Sequence, residues 1–402
     1  MPSGGGSNLS SHFRVVLGFV VLASCLNAQE RFGAGPDRTL NIVPSDRAVL
    51  ASDSNRTDLP CRVEPLDPSL DFELKFQAGY LIHLPMAELS TNGGHLRVLF
   101  RIRPLDDGEH EALYFTQHFN VPPIEEGSSG SATLPGRYVL GPGRYQIDWL
   151  MRDRAGRVCS SHWVTKAASL EKYEDLAAAA TANTIAVDGR DMFGDEPPVM
   201  RNGAGRRLAH IRILLNLSPV DKIKPKLSEY DLGSLVSMMR ALHREPSIGL
   251  FSVTAISANQ EQIVYDVSRS SRIDFKALGE AVGDVAAGMV DFSSLSDPES
   301  GGRFLAGVLN SALSTGEDRA DAVIILGPKI DREERIPEKL LNIDGKRPPT
   351  FHFAYNRNPR SYPWRGSIGN TLKSRGLVEY TIARPKDFGA ALADLVMRLG
   401  GS

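Results

Sequence analysis

Cysteine is scarce: three occur in 402 residues, at positions 25, 61 and 159. No Cys-x-x-Cys and no histidine pair at metal-ligand spacing is present, which removes the common zinc patterns. An excess of either charge is lacking as well. Lys plus Arg is 46 against 48 Asp plus Glu, for a formal net charge of -2. Nothing draws the whole surface to nucleic acid, which is therefore not an expected partner. Beyond residue 28, no apolar run approaches the roughly 18 residues of a membrane-spanning helix. Missing too are His-Glu-x-x-His, a Walker loop and a Gly-x-Ser-x-Gly elbow; Gly366-Ser367-Ile368-Gly369 has the wrong spacing. What is there, 42% apolar and 23% charged residues, is the balance of a globular protein. The length suits two or three domains.

Residues 1–28 read as an export signal. Arg14 is their only charge, Val15 to Ala23 form a short apolar core, and Ala28 is a small residue before Gln29. Two processing routes stay open: cleavage after Ala28, or lipidation of Cys25 within Leu22-Ala23-Ser24-Cys25, which resembles a bacterial lipobox. Either makes the protein extracytoplasmic, periplasmic or secreted; on the lipobox route a lipid at Cys25 is the one membrane attachment. The exported chain keeps Cys61 and Cys159, and an even pair in an oxidising compartment suggests a disulfide; two buried free thiols are the alternative. Residues 29–58 lack apolar period and read as a flexible tether. Asn55-Arg56-Thr57 there fits a glycosylation sequon.

From 59 to 166 the period is two. Phe72, Leu74 and Phe76 alternate with acids and Lys75; Leu96, Val98, Phe100 and Ile102 alternate with arginines; Tyr145, Ile147, Trp149 and Met151 alternate with Arg144, Gln146, Asp148 and Arg152. Turn signals such as Asn92-Gly93-Gly94 and Gly141-Pro142-Gly143 separate the runs. Short alternating strands of this kind predict an antiparallel β-sandwich. Residues 167–208 read as a linker, with an Ala-rich stretch at Leu176–Ala182. From 209 to 402 apolar strands alternate with amphipathic helices, which predicts a doubly wound α/β domain with a mainly parallel sheet. The fold class expected is thus multidomain: an N-terminal sandwich followed by an α/β domain.

The strings Ile211-Arg212-Ile213-Leu214-Leu215-Asn216-Leu217-Ser218, Ala322-Val323-Ile324-Ile325-Leu326-Gly327 and Phe351-His352-Phe353-Ala354-Tyr355, with the order of elements around them, resemble a von Willebrand factor A domain. Gly249–Ile256 and Gln262–Val267 would be that fold's antiparallel edge. The chain also resembles secreted bacterial proteins that join such a domain to an upstream sandwich. In that family the first strand ends in Asp-x-Ser-x-Ser, which with a later Thr and Asp holds a divalent cation through hard oxygens. Here the matching residues are Asn216, Ser218 and Val220, and the family's Thr-Asp-Gly is replaced by Leu326-Gly327-Pro328-Lys329. The resemblance therefore implies a binding fold whose metal site is degenerate, with no metal and no cofactor.

Chemistry elsewhere is sparse. Ser300-Gly301-Gly302 before a helix reads as a cap rather than an anion site. His83, His118 and His162 carry no assigned role. Arg357, Arg360, Tyr362, Trp364 and Arg365 follow a strand in a loop rich in Asn and Pro, where doubly wound folds carry binding; arginine and aromatics are also frequent interface anchors. A plain surface loop with a packed Trp364 is the alternative. The leading functional reading is an exported non-enzymatic protein-interaction or scaffold protein with an unidentified protein partner. A carbohydrate or cell-surface binding module acting through the sandwich, and a hydrolase with an unrecognised site, are the alternatives.

Overall fold

A computed structural model describes residues 29–32, 42–89, 94–106, 112–125, 127–167, 185–187, 191–202, 207–221, 224, 226–287, 300–314, 319–330, 336–342 and 347–400. The leader with Cys25 and Ala28, the Ala-rich stretch 176–182 and much of 167–208 lie outside these residues. Among the described residues no helix is long and apolar enough to cross a membrane.

Two antiparallel sheets come first. The larger contains β1 (Gln29–Phe32), β4 (Gly94–Pro104), β5 (Leu113–Val121), β7 (Gly143–Arg152) and β8 (Val158–Ala167), in the order β1-β5-β4-β7-β8. The smaller contains β2 (Arg62–Leu70), β3 (Phe76–Pro85), β6 (Ser131–Leu140) and β9 (Ile185–Val187), in the order β2-β3-β6-β9. Because side chains alternate along a strand, Tyr145, Ile147, Trp149 and Met151 of β7 all turn inward. They meet Phe100 of β4, Phe115 of β5, Tyr80 of β3 and Tyr138 of β6 in one core. The Tyr80 ring meets Phe100 and Trp149 edge-on, at centroid distances of 5.9 and 5.6 Å. Its hydroxyl donates to Gln117 Oε1 at 2.9 Å, so the buried polar tip is satisfied. Gly136 leaves room for this ring, since a Cβ there would fall 2.1 Å from Tyr80 Cζ. The expected Cys61–Cys159 disulfide is present, with Cα atoms 6.1 Å apart, and it is consistent with an extracytoplasmic location.

A mixed sheet follows, built from β10 (Ala209–Asn216), β11 (Ile248–Ser257), β12 (Gln262–Ser270), β13 (Ala322–Pro328), β14 (Thr350–Tyr355) and β15 (Val378–Ile382). Its order is β12-β11-β10-β13-β14-β15. Neighbours run parallel except at the edge pair β11 and β12. Helices α2 (Glu229–Arg244), α3 (Phe275–Ala287), α4 (Ser300–Ala312), α5 (Ser367–Leu372) and α6 (Pro385–Gly400) cover both faces. Ile211, Ile213 and Leu215 of β10 bury with Leu235 of α2, Phe275 of α3 and Phe388 of α6. Leu214, one step out of phase, buries with Leu305 of α4 and Ile368 of α5. Strands buried on both sides explain the unbroken apolar runs in the sequence. Ser228 caps α2, its Oγ accepting from the Asp231 N–H at 3.1 Å.

Three stretches differ from the sequence reading. Phe72 and Leu74 are not strand residues; they sit in the turn between β2 and β3, where Leu74 has φ of 59°. Both side chains leave the antiparallel sheets and bury in the core of the mixed sheet. Apolar alternation continues unbroken across this turn, so the pattern contains no sign of it. Residues 29–58 are not wholly a tether. They supply β1, paired with β5, and an additional helix, α1 (Pro44–Ala51). Val49 and Leu50 of α1 pack on Leu99, Leu150 and Val158 of the larger sheet, and the fully buried Asp46 binds the guanidiniums of Arg97 and Arg152. That anchor is ionic and invisible to a hydropathy reading. Within 167–208, β9 joins β6, and residues 191–202 are pinned to α2. Arg240 pairs with Glu196 and donates to the carbonyls of Met192 and Gly194, at 2.9 and 2.7 Å.

Candidate functional site

In a doubly wound sheet, loops that leave the carboxyl ends of the strands form a crevice where the strand order reverses. Here that point lies between β10 and β13. It is filled by the protein itself. Asn216, 2% exposed, donates from Nδ2 to the Pro328 carbonyl at 2.9 Å and accepts at Oδ1 from the Ser218 N–H at 3.1 Å. Ser218 Oγ accepts from the Asn259 N–H at 3.0 Å. Gly327 allows β10 and β13 to close: its φ is +140°, and a Cβ would fall 2.3 Å from the Asn216 carbonyl oxygen. A hard cation needs several free oxygens, preferably with anionic ones among them. The amide of Asn216 spends its donor on a carbonyl, and Val220 offers no oxygen from its side chain. Lys329 adds an ammonium immediately after β13. This set does not fit the cation that the family resemblance would place here.

Lys329 is 5% exposed, and its Nζ donates to the Trp364 carbonyl at 2.8 Å. Burial pushes its pKa down, Glu379 opposes this, and Arg365 adds to it. Arg365 binds Glu379 through Nε at 2.6 Å. His352 stands beside Glu379 in the sheet register, with Nδ1 3.7 Å from its carboxylate. Burial first, then the charges of Lys329 and Arg365, lower the His352 pKa to about 4, so it is neutral at ordinary pH. The cluster is a clamp, buried at Lys329 and His352 and open to solvent at Arg365, that fixes both ends of the stretch Trp364-Arg365.

The loop after β14 is held at its other end by Asn356. Its N–H donates to the Ile382 carbonyl and its Nδ2 to the Tyr362 carbonyl, each at 2.9 Å. Between these two anchors the loop is presented to solvent. Arg357 and Arg360 are exposed; Tyr362 and Trp364 are half-buried and meet edge-on, with ring centroids 6.0 Å apart. Arg357 lies over the ring of Tyr230 at 4.3 Å, a cation–π contact with an exposed aromatic in the first turn of α2. Tyr355 Oη donates to Asp231 Oδ1 at 2.8 Å and ties the base of the loop to the same turn. Thus four of the five loop residues singled out from the sequence share the loop surface or its aromatic pair, while Arg365, also exposed, is held by Glu379 in the clamp. Sequence reasoning missed Tyr230, Asn356 and Glu379. Tyr230 could have been found from topology alone, because the helix after the first parallel strand starts at this edge. Glu379 gave no signal in a short alternating strand.

Other candidates place less well. His210 Nε2 and Ser252 Oγ lie 2.9 Å apart, the separation of a base and its nucleophile. Both are almost wholly buried, and Ser252 Oγ accepts from the Arg269 N–H. His83 pairs with Glu64, and His162 with Asp148; His118 is exposed. Ser300 Oγ donates to Glu261 Oε1 at 2.9 Å, so a carboxylate already stands against the start of α4. Among the described residues no three His, Cys, Asp or Glu side chains are grouped to share an ion.

No protein-family model matches the chain, and no curated protein matches it. Among solved structures, a Bacteroides uniformis beta-glucuronidase aligns with 80% of this chain and 39% of its own, at 10% identity and a TM-score of 0.17. A calcium-binding mutant of beta-glucuronidase 2 from the same organism aligns with 78% of this chain and 38% of its own, again at 10% identity and a TM-score of 0.17. The chain thus spans about two fifths of the length of these structures. At such scores the alignments bear on neither fold nor activity.

Proposed function

We propose that the chain is an exported, non-enzymatic protein-interaction or scaffold protein. In this reading its mixed-sheet half is a von Willebrand factor A-like domain that works without a metal. The strand order with one antiparallel edge pair supports the likeness. The leader and the disulfide support export to a periplasmic or extracellular location, with Cys25 as the lipid attachment if the lipobox is used. The observation that carries the reading is the loop 357–364: solvent-facing Arg and aromatic side chains held between two buried anchors, Asn356 and Lys329. A surface ordered in advance loses little conformational entropy on binding, and Arg, Tyr and Trp are the usual interface anchors.

The carbohydrate reading has less support, because Tyr80, Phe100, Phe115, Tyr138, Tyr145 and Trp149 are all fully buried. Photo-crosslinking decides the matter. A benzoylphenylalanine in place of Tyr362 should capture a discrete protein in the native envelope, with or without EDTA. The same group in place of the exposed Val164 of β8 should not. Equal adducts at both positions, or adducts abolished by EDTA, would overturn the reading.

A further inference from the structure

We infer that this carboxyl edge recognises an acidic protein segment. The inference rests on the reading of the edge as a protein-interaction surface and adds the chemistry of the partner. From Asn356 to Gly366 the loop has three arginines and no acidic residue. Nearby arginines are neutralised within the fold: Arg365 by Glu379 and Arg384 by Asp387. Arg357 and Arg360 are exposed, and among the described residues neither meets a carboxylate. Lys224 and Lys226, exposed in the chain just before α2, carry the same sign of charge. Acidic groups in the same stretch of chain and the first turn of α2 are Asp221 and Glu229, together with Asp231, which is engaged by Tyr355 and Ser228.

The residue types suit carboxylates presented along a peptide. The Arg357 guanidinium lies 4.3 Å from the Tyr230 ring centroid, and its fork of N–H donors matches a planar, two-oxygen acceptor. Tyr362 and Trp364 beside it offer an apolar surface for the aliphatic part of a peptide side chain or a proline. Nucleic acid would ask for a longer cationic track than two arginines and two lysines in a chain of net charge -2. The clamp matters because it presents these groups in one arrangement. Lys329 and Glu379 never touch the partner.

Fluorescence anisotropy on the full-length exported protein tests this, with labelled decaglutamate as probe. Labelled decalysine, a single-stranded oligonucleotide of equal length and phosphatidylglycerol vesicles serve as comparisons. Decaglutamate should bind, weaken as salt rises from about 50 to 200 mM, and lose at least about tenfold in affinity in the Arg357→Ala, Arg360→Ala double variant, the range of a lost charge-assisted pair. Arg47→Ala with Arg154→Ala removes the same charge from exposed sites elsewhere and should leave binding within about twofold. No decaglutamate binding, equal loss in both double variants, or tighter binding of the oligonucleotide or vesicles would overturn the inference. If the Tyr362 crosslink still captures a protein in that case, the interaction surface stands and only its acidic preference fails.

Discussion

At position 216 a single atom separates an amide from a carboxylate, and the structure makes that atom decisive. Nδ2 donates to the Pro328 carbonyl inside the seam between β10 and β13. Asn216→Asp would set a carboxylate oxygen against that carbonyl in a place water does not reach. A buried acceptor facing an acceptor is unsatisfied, and the expected loss of stability is about 2–4 kcal/mol, read by urea titration. Millimolar Mg²⁺ should leave the thermal midpoint of the natural protein unchanged, since only a ligand of the native state raises it. Saturable stabilisation that disappears in Asn216→Ala would show that the donor set does hold a cation. The same logic of single atoms applies at Gly136. Its Cβ would enter the space of the Tyr80 ring, which is itself wedged between Phe100 and Trp149. Gly136→Ala should therefore cost roughly 1–3 kcal/mol, as overpacked cores do, and a midpoint equal to that of the natural protein would show that the ring can move aside.

The turn between β2 and β3 is the element where charge and packing meet. Arg244 at the end of α2 donates to Glu73 Oε2 at 2.9 Å and to the Glu73 carbonyl at 3.1 Å. Burial alone would raise the Glu73 pKa, but Lys75 and Arg244 outweigh it and hold the group at about 2. Its contribution is complete above its ordinary value and is lost as pH falls toward 2. Asp71 is opposite in sign. Burial, helped by Glu73, raises it to about 6 even though the Lys75 N–H and Gln77 donate to it. The folded state then binds that proton more tightly than the unfolded chain does. Stability should therefore fall as pH rises from about 4 to 6 and level off above. Asp71→Asn, which keeps an acceptor for Lys75, should flatten this limb and raise stability at pH 7 by about 1–2 kcal/mol. Chemical denaturation at pH 4.5 and 7 measures the difference, and an unchanged slope in Asp71→Asn would assign the pH dependence to another group. How much of this was legible follows from the kind of force involved. Alternation along β4 and β7, and unbroken apolar runs in β10 and β13, are area effects that a sequence displays directly. The loop 357–364 was legible because its residue types and its place after β14 coincide. The ordered part of 29–58, the pinning of 191–202 and the clamp around Glu379 depend on Asp46, Arg240 and Lys329 finding partners far away in sequence. Composition gives no register for such pairs, so a polar segment looks the same whether it is a tether or an ionic strap.

Across the whole molecule, two constraints act on different partners. The disulfide joins residues 98 apart within the antiparallel sheets and says nothing about the mixed sheet. Among the described residues, the turn of β2 and β3 links the two halves, its Phe72 and Leu74 belonging to the core of the mixed sheet. Phe72 meets Tyr355 edge-on at 5.9 Å, and Tyr355 is the residue that ties the candidate binding loop to α2. Unfolding the antiparallel sheets would therefore withdraw two buried side chains from the other core. At a cost of about 3–5 kcal/mol for each large side chain removed, neither half should open alone. Calorimetry of the natural protein should give one transition. Phe72→Ala with Leu74→Ala should split it into two, as expected when cooperativity between units is lost. Reducing agent should then lower only the transition of the antiparallel sheets, by the roughly 2–4 kcal/mol of a long-loop disulfide. A single transition that persists in the double variant, and moves as one on reduction, would mean that the halves are coupled through the pinned segment 191–202 instead, and Arg240→Met would then be the variant that separates them.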